Sequence, residues 1–365
     1  MSSSNIKEEA FYLCQKAAEN GDEKAMFNLA TYYENGEGIE KDLEKTFYWY
    51  QKAAENFEKN AMNNLACCYK NGEGTEKNLE KAAYWYQKAA ENGEEIEKNL
   101  EKAFYWYQKA AENGDKDAMY NLAICYYNGE GTEKNLEKAF CWFQKAAENS
   151  NEVAMFNLAT FYYKGEGLEK NLEKAFYWFQ KAAKNGNKSA MYNLAICYYK
   201  EEGTENNLEN AFYWFQKAAE KDYVKAMNNL ANCYYNGIGT EKDLEKAVHW
   251  YQKAIDNGDE NSMNNLAICY YNGEGIEKNS EKAFYWYQKA AENAAENGND
   301  AAMINLANFY YNGEGTEKNL EKSFYWYQKA AENGNEVAMI NLANFYYNGE
   351  GTEKNLEKSF YCRKW

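Results

Sequence analysis

Apolar and polar positions along this chain obey one rule, rewritten with a period of 36 residues. From Ala154, the set Ala154, Met155, Leu158, Ala159 and Tyr162 falls at the three- and four-residue spacing of a single helix face. Lys164-Gly165-Glu166-Gly167 interrupts it, the glycines supplying positive φ where a helix ends and the chain reverses. Asn171 is placed to cap a second helix, whose face is Leu172, Ala175, Phe176, Phe179, Ala182 and Ala183 with Trp178 at its border. Asn185-Gly186 closes it. Each period therefore predicts a hairpin of two helices, here called A and B.

One methionine per period sets the register: Met26, Met62, Met119, Met155, Met191, Met227, Met263, Met303 and Met339. Repeats of this length cannot bury their apolar faces alone, so they stack on their neighbours. The reading is an all-α, right-handed superhelical α-solenoid of about nine hairpins. The step of 57 from Met62 to Met119 marks a unit without helix A near Gly93, where two B helices follow one another, stacked imperfectly or run on as one kinked helix. The step of 40 from Met263 to Met303 comes from AAEN written twice between Ala290 and Asn297, about one extra turn that a helix absorbs. The expected organisation is a single array over 1–365. It comprises an incomplete first unit 1–21, regular repeats 22–93, a unit lacking helix A at 94–114, regular repeats 115–350 and an incomplete last unit 351–365. Because both ends fall inside B helices and solenoids normally carry polar capping units, a segment of a longer protein or a truncated gene product is the expectation.

Composition narrows the function. Hydrophobic residues at 45% and aromatics at 17% suffice for a continuous core, and the absence of proline suits helices joined by glycine turns. A net charge of −16 opposes electrostatic binding of nucleic acid or an anionic membrane, so a basic or neutral partner is easier to accept. No apolar run is long enough to span a bilayer and MSSSNIKEEAFYLC lacks the regions of a secretory signal, which points to the cytoplasm.

The spacing A-x-x-x-L-A-x-x-Y, the G-E-G link and K-A-x-x-W-[YF]-x-K-A-A-x-x-G in helix B resemble Sel-1-like repeats, relatives of the tetratricopeptide repeat, over nearly the whole chain. Ala stands after the Leu where that family often has Gly. The resemblance implies an α-solenoid serving as adaptor or scaffold in protein assemblies. Family members act in protein quality control, in activating cell-wall polysaccharide synthesis and in signalling. The alternative it leaves open is a regulatory repeat arm of a larger signalling, cell-wall biosynthesis or ubiquitin-pathway protein, and more remotely a hydrolase.

Slots compared within the chain locate a candidate surface. Three residues after each Met stands Leu and seven after stands Tyr, which are core. The slot one after runs Phe27, Asn63, Tyr120, Phe156, Tyr192, Asn228, Asn264, Ile304 and Ile340. The slot five after runs Thr31, Cys67, Ile124, Thr160, Ile196, Asn232, Ile268, Asn308 and Asn344. Both change character along the array and lie on the side of helix A away from the Leu and Tyr face, the side that lines the concave surface of a hairpin solenoid. This stripe is the candidate groove for a protein or peptide, since exposed apolar stripes mark interaction sites. The slot two after is Asn throughout: Asn28, Asn64, Asn121, Asn157, Asn193, Asn229, Asn265, Asn305 and Asn341. These amides form either a ladder gripping a ligand main chain or caps on polar groups of neighbouring hairpins. A second aromatic row, Tyr48, Tyr84, Tyr105, Tyr177, Tyr213, Tyr285 and Tyr325, precedes the Trp of helix B on the convex side.

No residue set points to catalysis, a cofactor or a metal. Cys68, Cys125, Cys197, Cys233 and Cys269 share one helix A slot with Tyr32, Phe161, Phe309 and Phe345, an interchange that means packing. Equivalent slots in stacked units stand too far apart for a disulfide. The single histidine, His249, occupies a convex Tyr slot, which leaves no Ser-His or Cys-His dyad and no zinc cluster. The G-E-G link matches neither a nucleotide-binding glycine motif nor an EF-hand loop.

Overall fold

The computed structural model describes residues 3–37, 39–91, 96–167, 169–297 and 300–362. Among them are twenty α-helices and no strand, an all-α helical repeat solenoid. In chain order these are α1 (Ser3–Glu19), α2 (Glu23–Asn35), α3 (Leu43–Glu55), α4 (Lys59–Asn71), α5 (Leu79–Glu91), α6 (Ile96–Glu112), α7 (Lys116–Asn128), α8 (Leu136–Glu148), α9 (Glu152–Lys164) and α10 (Leu172–Lys184). There follow α11 (Lys188–Lys200), α12 (Leu208–Glu220), α13 (Val224–Asn236), α14 (Leu244–Asp256), α15 (Asn261–Asn272), α16 (Ser280–Asn297), α17 (Asp300–Asn312), α18 (Leu320–Glu332), α19 (Glu336–Asn348) and α20 (Leu356–Cys362). Two compact units divide the chain, 1–185 and 186–365.

The predicted hairpin forms for the predicted reasons. Asn151 caps α9, its Oδ1 accepting from the Ala154 amide at 2.7 Å, and Gly165 at φ 75 ends it in the left-handed conformation. Asn171 caps α10 through the Lys174 amide at 2.9 Å, while its own backbone N–H donates to the Tyr162 carbonyl and pins the link to helix A. Met155, Leu158, Ala159 and Tyr162 of α9 are buried, as are Phe179, Ala182 and Ala183 of α10. The doubled AAEN lies in α16, which is longer than the 13-residue α14 and α18.

Successive hairpins meet through two repeated contacts. The Phe of one helix B meets the Tyr of the next helix A edge-on, as Phe47 meets Tyr69 at 5.2 Å and Phe284 meets Tyr310 at 5.3 Å. In six of the links the second glycine lies on the first turn of the preceding helix B. A Cβ at Gly74, Gly131, Gly239, Gly275, Gly315 or Gly351 would fall inside 3 Å of the carbonyl of Leu43, Leu100, Leu208, Leu244, Ser280 or Leu320. Glycine is required there by close approach as well as by its positive φ.

The unit lacking helix A resolves differently from a run-on helix. Gly93 lies outside the described residues, but α5 and α6 are separate helices packed side by side, with the Tyr107 hydroxyl donating to Gln87 Oε1 at 2.9 Å. Lys102 lies over Tyr86 as Lys138 lies over Tyr126, so α5 acts as helix A toward α6. Helix α6 also passes α4 at one period's offset, with Lys70 6.0 Å from the Trp106 ring. Toward α7 it behaves as an ordinary helix B, Phe104 meeting Tyr126 at 5.3 Å.

The irregularity leaves two buried amide oxygens without partners, Asn63 Oδ1 and Asn99 Oδ1. Elsewhere an Asn 37 residues further on donates to this acceptor slot, as Asn265 donates to Asn228 at 3.3 Å. At that offset from Asn63 stands Leu100. Asn99 would be the N-cap, as Asn135 is for α8, but α6 starts three residues earlier and encloses it. Leaving a buried acceptor unpaired costs about 1–3 kcal/mol. Asn63→Ile, a residue the slot carries at Ile304, is therefore expected to raise the urea midpoint by about 1–2 kcal/mol of stability. A lowered midpoint would show that the amide is satisfied.

Candidate binding groove

The slot one after the Met is half-buried in most units, because it packs on helix B of its own hairpin. Phe27 lies 5.7 Å from Tyr50, Tyr120 5.9 Å from Phe143, Phe156 6.0 Å from Phe179 and Tyr192 5.8 Å from Phe215. Asn63, Asn228, Asn264 and Ile304 are half-buried too, and Ile340 is exposed. The stripe is thus the rim of each hairpin's core, and its aromatics hold helix A to helix B.

The slot five after the Met answers to the residue following the Trp of helix B, a core position whose link to this slot sequence reasoning missed. Where that residue is Tyr, the slot generally carries a polar partner. Thr31 Oγ1 lies 3.3 Å from the Tyr50 hydroxyl and Cys67 Sγ 3.2 Å from that of Tyr86. The Tyr251 hydroxyl donates to Asn232 Oδ1 at 2.6 Å, and that of Tyr327 donates to Asn308 Oδ1. Where the residue is Phe the slot is apolar or self-satisfied: Ile124 with Phe143, Ile196 with Phe215, and Thr160, whose hydroxyl donates to the Phe156 carbonyl, with Phe179. Ile268 with Tyr287 departs from the rule. A buried phenol needs a partner, so much of the slot's variation follows the core beneath it. That covariation was already present in the sequence.

Three of the recurrent asparagines tie adjacent A helices together. Asn229 Nδ2 donates to the Tyr192 hydroxyl at 3.4 Å, Asn265 Nδ2 to Asn228 Oδ1 at 3.3 Å and Asn305 Nδ2 to Asn264 Oδ1 at 3.1 Å. Asn193 and Asn341 donate to carbonyls of their own helices, Ser189 and Val337. Asn28 is exposed and Asn121 half-buried.

A third row, also missed, runs along the C-terminal ends of the A helices. The Tyr eight after the Met donates to the link glutamate of the next unit: Tyr127 to Glu166 at 3.1 Å, Tyr235 to Glu274 at 2.5 Å and Tyr311 to Glu350 at 3.3 Å. Burial, then the bond to the Glu274 carboxylate and its charge, pushes the Tyr235 phenol up to about 12. The link glutamate thus joins neighbouring units.

Between these rows the surface opens into cavities of matching register. One of about 200 Å³ is lined by Ile124, Tyr127, Phe143, Asn157, Thr160 and Phe161, with Lys164 and Glu166 at its end. Another, of about 300 Å³, is lined at the equivalent slots by Asn308, Tyr311, Tyr327, Asn341, Asn344 and Phe345, with Asn348 and Glu350. The first has an apolar floor and the second is rich in amides. Asn308, Asn344 and Ile340 present exposed side chains there or beside it.

The convex tyrosines are about half exposed, each edge-on to its Trp, as Tyr48 is to Trp49 at 5.1 Å, with a lysine over the ring in Tyr48, Tyr84, Tyr105, Tyr177, Tyr213 and Tyr325. Tyr285 lies 5.1 Å from Trp286. His249 takes the same place beside Trp250 at 5.7 Å. The five cysteines of the helix A slot are buried, and burial pushes each thiol up to about 12, far from a reactive thiolate. Among the described residues no group of three His, Cys, Asp or Glu could hold a metal ion, and no helix is long and apolar enough to cross a membrane.

The Sel1 repeat model matches the chain eleven times, over 4–22, 23–56, 59–94, 91–115, 116–151, 153–187, 188–223, 224–259, 261–294, 300–335 and 337–362. The chain belongs to the Sel1 repeat family. Among solved structures it is similar to c5321 of uropathogenic Escherichia coli, described as a protective antigen displaying an SLR fold, at 28% identity and TM-score 0.58, covering 96% of this chain and 85% of that one. It is also similar to a Sel1 repeat protein from Oxalobacter formigenes at 32% identity and TM-score 0.60, covering 67% of this chain and 95% of that one. No curated protein matches it. Sel1 repeat proteins are in general scaffolds for protein interaction.

Proposed function

We propose that this Sel1 repeat chain is a non-catalytic scaffold that binds a protein or extended peptide along the face formed by its A helices, the concave face of the array. The supporting observation is the recurrence of one cavity register with different linings. Ile124, Phe143 and Thr160 make an apolar floor in one cavity, and Asn308, Tyr327 and Asn344 make a polar one in the other. Equivalent sites with different chemistry suit different side chains of a protein or peptide ligand.

The test uses exposed side chains and leaves Asn308, the partner of the buried Tyr327, in place. A displayed peptide library is selected on the intact chain, and the winners are titrated against Ile340→Arg, Asn344→Arg and, separately, Tyr285→Ser, Tyr325→Ser, after equal helicity is checked. Loss of at least tenfold in affinity with the arginine variant alone supports the groove. Loss with the tyrosine variant alone moves binding to the convex row.

A further inference from the structure

A cavity of about 530 Å³ lies away from the groove, between the first turn of α5 and the C-terminal end of α6. Its floor is Leu79 and Glu80, and its walls include Lys77, Ala110, Asn113 and Asp115. The repeat explains why it is there. At Leu43, Leu100, Leu208, Leu244, Ser280 and Leu320 the first turn of helix B is covered by the second glycine of the following link, 31 residues further on in most units, as Gly74 covers Leu43, Gly131 covers Leu100 and Gly275 covers Leu244. Counting the same 31 residues from Leu79 reaches Ala110, which belongs to a helix, because the helix A and glycine link due at this point are missing from the sequence. The α5 turn, Leu79-Glu80-Lys81-Ala82, has the sequence of its covered equivalents and keeps its cap, Asn78 Oδ1 accepting from the Lys81 amide at 2.8 Å. The cavity is therefore a seat of the internal interface left without its loop.

We propose that this seat docks a glycine-bearing basic turn of a partner protein. Glycine is required by the shape, since at the equivalent seats a Cβ would fall inside 3 Å of the helix carbonyl. The charge is required by the surroundings. Asp115 lines the seat, Asp117 lies close enough to act on Glu80 through its charge, and Lys81 offsets them in part. Glu80 is half-buried, and burial first, then the charges of Asp115 and Asp117, raise its carboxyl above the usual range, so a lysine or arginine entering here relieves an existing repulsion. The glutamate of the chain's own link would add to that repulsion, which argues against a link from a second copy. This site is separate from the A-helix groove, and its failure would leave the groove reading untouched.

The probe is a fluorescent, backbone-cyclised octapeptide presenting Gly-Lys-Gly at its turn, titrated by anisotropy into the intact chain. Rings presenting Ala-Lys-Ala and Gly-Glu-Gly serve as comparisons. The expected result is saturable binding of the Gly-Lys-Gly ring, at least fivefold weaker for either other ring. Binding should fall at least fivefold with Glu80→Gln, be blocked by Asn113→Tyr, whose exposed side chain fills the seat, and tighten with Lys77→Ser. Equal binding of the Ala-Lys-Ala ring, undiminished binding to Asn113→Tyr, preference for the Gly-Glu-Gly ring, or no binding at millimolar concentration would each overturn the proposal.

Discussion

Replacing Gly275 by alanine is expected to destabilise the chain by about 3–4 kcal/mol, whereas alanine at Gly273, two residues earlier in the same link, is expected to cost about 1 kcal/mol. Both glycines have positive φ, 75 at Gly273 and 70 at Gly275, so conformational preference does not separate them. Their surroundings do. A Cβ on Gly273 meets Lys278 at 3.1 Å, a contact that a small shift relieves, and the equivalent slot already carries Glu201 at φ 61. A Cβ on Gly275 would overlap the Leu244 carbonyl, which belongs to the first turn of α14 and cannot yield without separating two hairpins. Urea unfolding followed by circular dichroism reads both variants, with a second, lower transition expected for Gly275→Ala, because a solenoid loses cooperativity at a weakened interface. Equal midpoints would mean that the hairpins do not pack this closely.

Alkali is expected to unfold this protein well before its tyrosines would titrate in free peptides to completion. The buried thiols of Cys68, Cys125, Cys197, Cys233 and Cys269 rise from the ordinary 9.0 to about 12, chiefly through burial. The folded chain thus holds these protons more tightly than the unfolded one. Their contribution is whole below pH 9 and is lost as pH rises toward 12, at about 1.4 kcal/mol per pH unit for each thiol. The buried phenols Tyr50, Tyr86, Tyr107, Tyr251 and Tyr287 are raised for the same first reason and add to the loss above pH 10. A helicity midpoint between about pH 10 and 11 is expected. Replacing the five cysteines by valine, similar in size and without a proton to lose, should move that midpoint upward. An unchanged midpoint would assign alkaline unfolding to the tyrosines alone.

The hairpins were legible because each is specified locally. Asn171 as cap, Gly165 as stop and the spacing of Leu158 and Phe179 act within about 25 residues, and the same signals return in every unit. The candidate stripe was legible as a row of positions and misjudged as a free surface. Helical periodicity places Phe27 and Thr31 on one side of α2, but it does not say that helix B approaches that side closely enough for Tyr50 to reach both. The rule linking Asn232 to Tyr251 was visible in the letters, yet its meaning needed the 2.6 Å bond.

By itself, the sequence determined the repeat, its two helices, their caps and the site of the missing helix A, because periodicity and capping are properties of short stretches. Only the tertiary structure decided which glycine of a link bears on its neighbour, that Tyr235 bonds to Glu274 a whole unit away, and that α6 fills in beside α5 while leaving a cavity beside Leu79. The physical reason is the same in each case. These outcomes depend on the distance between packed helices, which is set by side chains far apart in sequence meeting across an interface.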